Sequence, residues 1–173
     1  MCIRDRFWTG CRIGEALALT KADIDYNNNK LKISKTYYRA NGKDIITEPK
    51  TKQSIREIDI PNFLKEEIQE HFDRYYELPE NERLFPIVQE AVQHKMKRHI
   101  AKAGVKDIRV HDLRHSHVAY LINSGIEPLI IKERLGHKDI RITLNTYGHL
   151  YPNKQRSVAE LLDLQNRKEL MKK

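Results

Sequence analysis

The sequence predicts a mainly α-helical domain carrying one small antiparallel β-sheet, an α+β fold. Strand-like alternation and turn signals are confined to residues 27–60, whereas apolar residues recur at helical spacing through most of the chain beyond residue 60. The helical segments are also punctuated by proline near their starts and glycine at their ends. A chain of 173 residues suffices for one ordinary domain, or one domain with a tail, built on a real core.

Arg12 to Leu19 reads as a short helix, with Ile13, Ala16, Leu17 and Leu19 apolar and a stop near Thr20. Asn27-Asn28-Asn29 is a turn, and Leu31 to Ser34 alternates as a strand. Asn41-Gly42 marks a second turn, and Ile45 to Thr47 and Ile55 to Ile60 give two further strands of the same sheet. Pro61 suits a first helical turn, and Phe63, Leu64, Ile68, Phe72 and Tyr75 come after it at helical spacing. Val88 to Ala103 is a helix capped by Gly104. Asp112 can cap a helix that runs through Asn123 and closes at Ser124-Gly125. Pro128 to Leu135 makes a short helix before Gly136, and Asp139 can begin the next one. Beyond Pro152, residues 154–173 form a polar helix with Val158, Leu161 and Leu162 on one stripe.

The 32 basic and 24 acidic residues leave a net charge of +8, which favours a polyanionic partner. Glu66, Glu67, Glu70, Asp73, Glu77, Glu80 and Glu82 concentrate negative charge, and Lys95, Lys97, Arg98, Lys102 and Lys106 concentrate positive charge, so opposite faces are expected to differ in sign. Each run alone reads as a solvated helix face. Only Cys2 and Cys11 are present, with no C-x-x-C pair, so neither a disulfide framework nor a thiolate zinc site is suggested, and a cytosolic setting fits. No apolar run approaches the length of a membrane span, and no signal-peptide core exists.

Four phrases carry chemistry: Thr9-Gly10-Cys11-Arg12-Ile13-Gly14-Glu15; Pro49-Lys50-Thr51-Lys52 before the strand Ile55 to Ile58; His111-Asp112-Leu113-Arg114-His115-Ser116; and Leu135-Gly136-His137 leading to Asn145-Thr146-Tyr147-Gly148-His149-Leu150. Each is weak alone, but their order and spacing over residues 9–151 multiply the coincidences required. Together they resemble the active site of the tyrosine recombinases, phage-integrase-like enzymes that cut and rejoin DNA through a phosphotyrosine. The resemblance implies the fold of that family's catalytic domain and a catalytic set of Arg12, Lys50, His111, Arg114, His137 and Tyr147.

Metal-free phosphodiester cleavage needs a nucleophile, cations on the non-bridging oxygens and a proton for the leaving sugar oxygen. Tyrosine ionises near pH 10, so it needs cations and a proton acceptor nearby. Arg12 and Arg114 offer planar guanidinium forks suited to phosphate oxygens, and the three-residue spacing of His111 and Arg114 puts both on one face of a helix start. By resemblance His111 assists proton transfer, His137 donates to a non-bridging oxygen and Lys50 protonates the 5′ oxygen. Lys52 rivals Lys50, because sequence does not fix the hairpin register. Glu15 reads as an orienting residue, His115 as a buried brace of its helix, and Tyr151 as the nearest rival to Tyr147. Because His137 and Tyr147 lie ten apart, a helix break must separate them, and Gly136 with Lys138-Asp139 supplies it. His111, His115 and His117 could alternatively form a metal cluster, but no carboxylate or cysteine completes the set.

The resemblance further implies double-stranded DNA as partner, a homo-oligomer (a tetramer on paired sites) and no cofactor or metal. Residues 1–8 are expected to be a truncated or foreign leader, 9–153 the catalytic domain and 154–173 a helical tail, with an upstream DNA-clamping domain missing. Two other readings stand beside strand exchange: a type IB topoisomerase-like enzyme, and a non-catalytic DNA-binding remnant of an integrase.

Overall fold

The computed structural model describes residues 2–75, 79, 81–151 and 155–170; Glu77 and Glu80 of the acidic run lie outside them, as do Met1, Pro152 and residues 153–154 and 171–173 of the tail. Helix α1 (Cys2–Thr9) leads through Gly10 into α2 (Ile13–Ala18). Five strands come next: β1 (Ile24–Asp25), β2 (Lys30–Ile33), β3 (Thr36–Ala40), β4 (Lys43–Thr47) and β5 (Arg56–Asp59). The rest is helical: α3 (Asn62–Asp73), α4 (Gln89–Ala103), α5 (Asp112–Asn123), α6 (Pro128–Leu135), α7 (Ile140–Tyr147) and α8 (Gln155–Leu170).

The expected single sheet is two antiparallel sheets, β1-β2-β5 and β3-β4. Sequence alternation misses β3 because Tyr37 is its one buried residue. Asn41 and Gly42 both take positive φ, 50° and 75°, as a two-residue turn matching the twist of β3 and β4 requires. Lys50 therefore lies not in a β4–β5 hairpin but in the link between sheets, just before a 3₁₀ turn at Lys52–Ser54.

Residues 1–8, expected to be a leader, join the fold from residue 2 onward. Helix α1 packs on α5, and fully buried Arg6 donates from Nε to the Cys11 carbonyl at 3.1 Å and from Nη1 to that of Val110. Its charges disguise a buried helix because the guanidinium is spent on backbone carbonyls. Glu66, Glu67, Glu70 and Asp73 of the acidic run lie on α3, and Lys95, Lys97, Arg98 and Lys102 of the basic run lie on α4; Lys95 and Arg98 line a groove of about 400 Å³ to which α3 contributes His71.

Two apolar clusters form among the described residues. The larger joins α2, one face of the β2–β5 pair, α3 and α4 through residues such as Leu17, Leu31, Ile58, Leu64 and Val92; the smaller joins α5, α6 and the end of α7 through Val118, Ile122, Ile131, Leu135 and Tyr147. Each fully buried aliphatic side chain contributes roughly 1.5–3 kcal/mol.

The C-terminus of α6 lies at the seam between the clusters, and its last four carbonyls are all satisfied, as buried helix ends require. Gly136, at φ 65°, turns the chain so that its N–H reaches Glu133 O at 3.0 Å and the His137 N–H reaches Lys132 O at 3.1 Å. The other two accept from arginines: Arg134 O from Arg56 Nε at 2.7 Å, and Leu135 O from Arg114 Nη2 at 2.8 Å. Cations at the negative end of a helix are also electrostatically favoured.

Candidate active site

The chain places Arg12 immediately before α2, where the Glu15 carboxylate reaches back to its backbone N–H at 2.8 Å and to its Nη1 at 2.9 Å. This is the return half of a capping box, and it aims a half-exposed guanidinium outward from a buried anchor. Glu15 in turn accepts two bonds from Arg56 of β5, at 2.9 and 3.2 Å. Burial pushes the Glu15 carboxyl up, but hydrogen bonds and charge from Arg56 and Arg12 outweigh it and hold the group at about 2.

Arg12, Lys50 and His137 line one open cleft of about 460 Å³, with Glu15, Thr36 and Lys138 also on its wall. Lys52 does not line it. Arg114 stands behind His137. It is buried, donating to Gly10 O and Leu135 O and, from Nη2, to His137 Nε2 at 3.1 Å. Burial and the neighbouring Arg12 press Arg114 down to about 10, which leaves it charged. The other ring nitrogen of His137 meets Thr143 Oγ1 at 2.9 Å. An arginine can only donate, so Nε2 accepts and the ring proton belongs on Nδ1, an assignment made from the hydrogen-bond network. Burial, then Arg114 and Arg12, hold His137 down at about 4, so it is neutral at pH 7.

His111 and Tyr147 are not on the cleft wall. Tyr147, at the end of α7, is 5% exposed, and its hydroxyl bonds His115 Nδ1 at 2.7 Å. His111 is exposed and packs edge-on against the His115 ring, 4.9 Å between centroids. The break between His137 and Tyr147 is built from Gly136 and from Asp139, whose carboxylate caps α7 at the Arg141 N–H, 2.8 Å. Asp112 is the first residue of α5 rather than its cap; its carboxylate accepts from Arg109 backbone and side chain.

The sequence of residues 6–154 matches the phage integrase family. The chain belongs to that family. As a phage integrase family member it is 37% identical over 177 residues to the ICEBs1 integrase of Bacillus subtilis, covering 91% of this chain and 46% of that protein. It is 30% identical over 183 residues to a XerC-like tyrosine recombinase of Caldanaerobacter subterraneus, covering 91% of this chain and 47% of that one. The chain thus spans about half the length of the curated relatives it matches. Its fold is that of the Tn1549 transposon integrase, solved in complex with circular intermediate DNA, with a TM-score of 0.79 at 24% identity over 94% of this chain and 58% of that one.

Within this family member, sequence reasoning underrates two residues. His115, expected to be a buried brace, is half-exposed and touches the tyrosine hydroxyl; the brace is His117, 2% exposed and bonded to Arg134 Nε at 3.1 Å, so the three histidines do not converge on a metal. Arg56 is legible in outline, because β5 alternates and Arg56 falls in the buried phase with Ile58 and Ile60. An arginine on the inward face of a strand must find acceptors.

Proposed function

We propose that this chain is the catalytic part of a site-specific DNA recombinase of a mobile element, acting on double-stranded DNA through a 3′-phosphotyrosyl intermediate. The observation that carries the reading is the cleft in which Arg12, Lys50 and His137 converge, backed by Arg114. A phosphate there meets the Arg12 guanidinium and the Lys50 ammonium, with the Arg114 guanidinium behind His137 adding charge, and preorganised donors of this kind are each worth roughly 3 kcal/mol at a transition state.

In this mechanism the Tyr147 oxygen attacks the scissile phosphorus, and the 5′ oxygen leaves with a proton from Lys50. The position of Lys50 on the cleft wall, with Lys52 off it, favours Lys50 for that role. Arg12, backed by Arg114, holds the non-bridging oxygens, His137 donates to one of them once Nε2 has taken up a proton, and His111 packs on the His115 ring beside the nucleophile. The freed 5′-hydroxyl of a partner strand then attacks the phosphotyrosine, so bond energy is kept and the reaction is a transfer rather than a hydrolysis, without a cofactor. The exposed lysines and arginine of α4 supply phosphate contacts.

Assembly as a homo-oligomer, a tetramer on paired sites, belongs to the same reading. It is supported by Val158, Leu161 and Leu162 of α8, which are 50–58% exposed, an apolar stripe that a neighbouring protomer would cover. No helix among the described residues is long and apolar enough to cross a membrane, and the chain is assigned to the cytoplasm of a bacterial cell.

The test is covalent capture. The full chain is incubated with a library of nicked duplexes randomised around the nick, and denaturant-stable adducts are isolated and sequenced. Adducts mapping to Tyr147 by mass spectrometry and lost in Tyr147→Phe are expected; adducts on Tyr151, or none, refute the reading.

A further inference from the structure

The geometry points to His115 as the group that takes the proton from Tyr147 during strand cleavage and returns it during rejoining. This inference rests on the proposed recombinase activity and assigns a role to a residue outside its six catalytic positions.

Tyrosine ionises near pH 10, and burial raises Tyr147 further against the opposing charge of Arg114. Almost none of it is phenolate at neutral pH, so the proton must leave as the oxygen attacks. A base has to lie within about 2.6–3.2 Å of that proton. His115 Nδ1 does, at 2.7 Å from the hydroxyl oxygen. With the phenol donating, Nδ1 is the unprotonated nitrogen of a neutral ring and can accept.

The setting keeps that ring in place. His115 is held between the edge-on ring of His111, 4.9 Å away, and the tilted ring of Tyr147, 5.6 Å away. The charged and titratable groups around it are His111, Asp112 and Arg114 of its own helix, Arg6 of α1 beyond His111, and His149 in the turn Gly148–Leu150, which packs on α5. His111 does not contact the hydroxyl in this arrangement and instead walls the His115 ring.

The step balances. The Tyr147 O–H bond breaks as the Oη–P bond forms, and His115 becomes an imidazolium; the P–O5′ bond breaks and the leaving oxygen takes a proton from Lys50. In rejoining, an incoming 5′-hydroxyl gives its proton to the Lys50 amine, the Oη–P bond breaks, and the phenolate recovers its proton from His115.

The experiment uses the full chain and one nicked duplex recovered by covalent capture. Single-turnover adduct formation is followed against pH for the wild type, His115→Asn and His115→Gln, the first placing an amide where Nδ1 lies. Melting and DNA affinity are measured alongside, so that a variant that fails to fold is replaced by the other. Each variant should bind DNA normally but cleave about 100-fold more slowly at pH 7. Its rate should keep rising toward the phenol's own range instead of levelling after the histidine range. A fluorinated tyrosine of lower pKa at position 147 should restore about tenfold in the variants and little in the wild type, which a purely structural role would not do. A variant that cleaves at the wild-type rate with the same pH profile, or one that gains nothing from the fluorinated phenol, overturns the assignment while adducts at Tyr147 in the wild type leave the recombinase reading standing. Absence of any wild-type adduct overturns both.

Discussion

Changing Glu15 to Gln should be among the costliest single substitutions in the domain, although Glu15 is not expected to react. The residue is 3% exposed and accepts from Arg56 twice and Arg12 twice. A carboxyl held at about 2 against an ordinary 4.5 corresponds to roughly 3 kcal/mol of folding free energy. Removing one partner of a buried ion pair independently predicts about 3–5 kcal/mol, because the Arg56 charge is left buried without its counter-charge. For a domain of this size, about 3–5 kcal/mol is a fall in melting temperature of roughly 6–20 °C. Because the folded pKa lies below the unfolded one, the contribution is complete above about pH 4.5 and is lost as pH falls toward 2. Wild type and Glu15→Gln should therefore differ at pH 7 and converge in acid. Calorimetry at pH 7 and pH 3 measures both, with Glu57→Gln as the comparison, since Glu57 sits on the outer face of β5 in an exposed pair with Lys30. If Glu15→Gln costs no more than Glu57→Gln, the anchoring argument is wrong.

Three further outcomes are expected. Gly14→Ala should destabilise strongly, because a Cβ there would meet Thr36 Oγ1 at 2.5 Å and the Tyr37 carbonyl oxygen at 2.8 Å; a denaturation midpoint within error of wild type would contradict it. Arg12→Lys and Arg114→Lys should each cut adduct formation about 100-fold, the equivalent of roughly 3 kcal/mol, since an ammonium cannot present the planar fork; near-normal rates from both would remove the arginines from the mechanism. Phosphate binding should raise the His137 pKa from about 4, because an anion beside the ring reverses the effect of its cationic neighbours. Titration calorimetry of DNA binding near pH 6 in buffers of differing ionisation enthalpy should then report proton uptake that is lost in His137→Gln, and equal uptake by the variant would refute this.

The helices are the most legible part of the sequence, for physical reasons that particular residues show. Pro128 and Gly136 bracket α6 at the positions where a missing N–H and a left-handed backbone are tolerated, so its limits can be read directly. The strand β3 is not legible, since a two-stranded ribbon with one buried side chain leaves no alternation. Helix α1 is disguised by Asp5 and Arg6, charged residues that are nonetheless buried. In the cleft, Arg12, Lys50 and His137 can be gathered from their phrases, because each phrase has a helix start or tight turn next to the candidate residue. What cannot be read is the contact of His115 with Tyr147: it spans 32 positions, and helical spacing relates His115 to His111 but says nothing about a ring arriving from α7.

The cleft also explains why scaffold and candidate catalytic groups are hard to separate in this domain. Arg114 closes the last carbonyl of α6 and bonds Gly10 O and His137 with the same guanidinium that is proposed to meet the phosphate. Arg56 closes the preceding carbonyl while gripping Glu15 and the Ser54 carbonyl of the link that bears Lys50. The N-terminus of α2, the inter-sheet link and the C-terminus of α6 are therefore tied to one another through two buried arginines, and these three elements carry Arg12, Lys50 and His137. A shift in any of them is resisted by the cost of leaving a buried carbonyl or guanidinium unpaired, roughly 1–3 kcal/mol for each group. The arginines thus hold Arg12 and Lys50 at fixed separation before any phosphate arrives, so that in the proposed reaction the cost of bringing like charges together is met by folding rather than by the bound transition state.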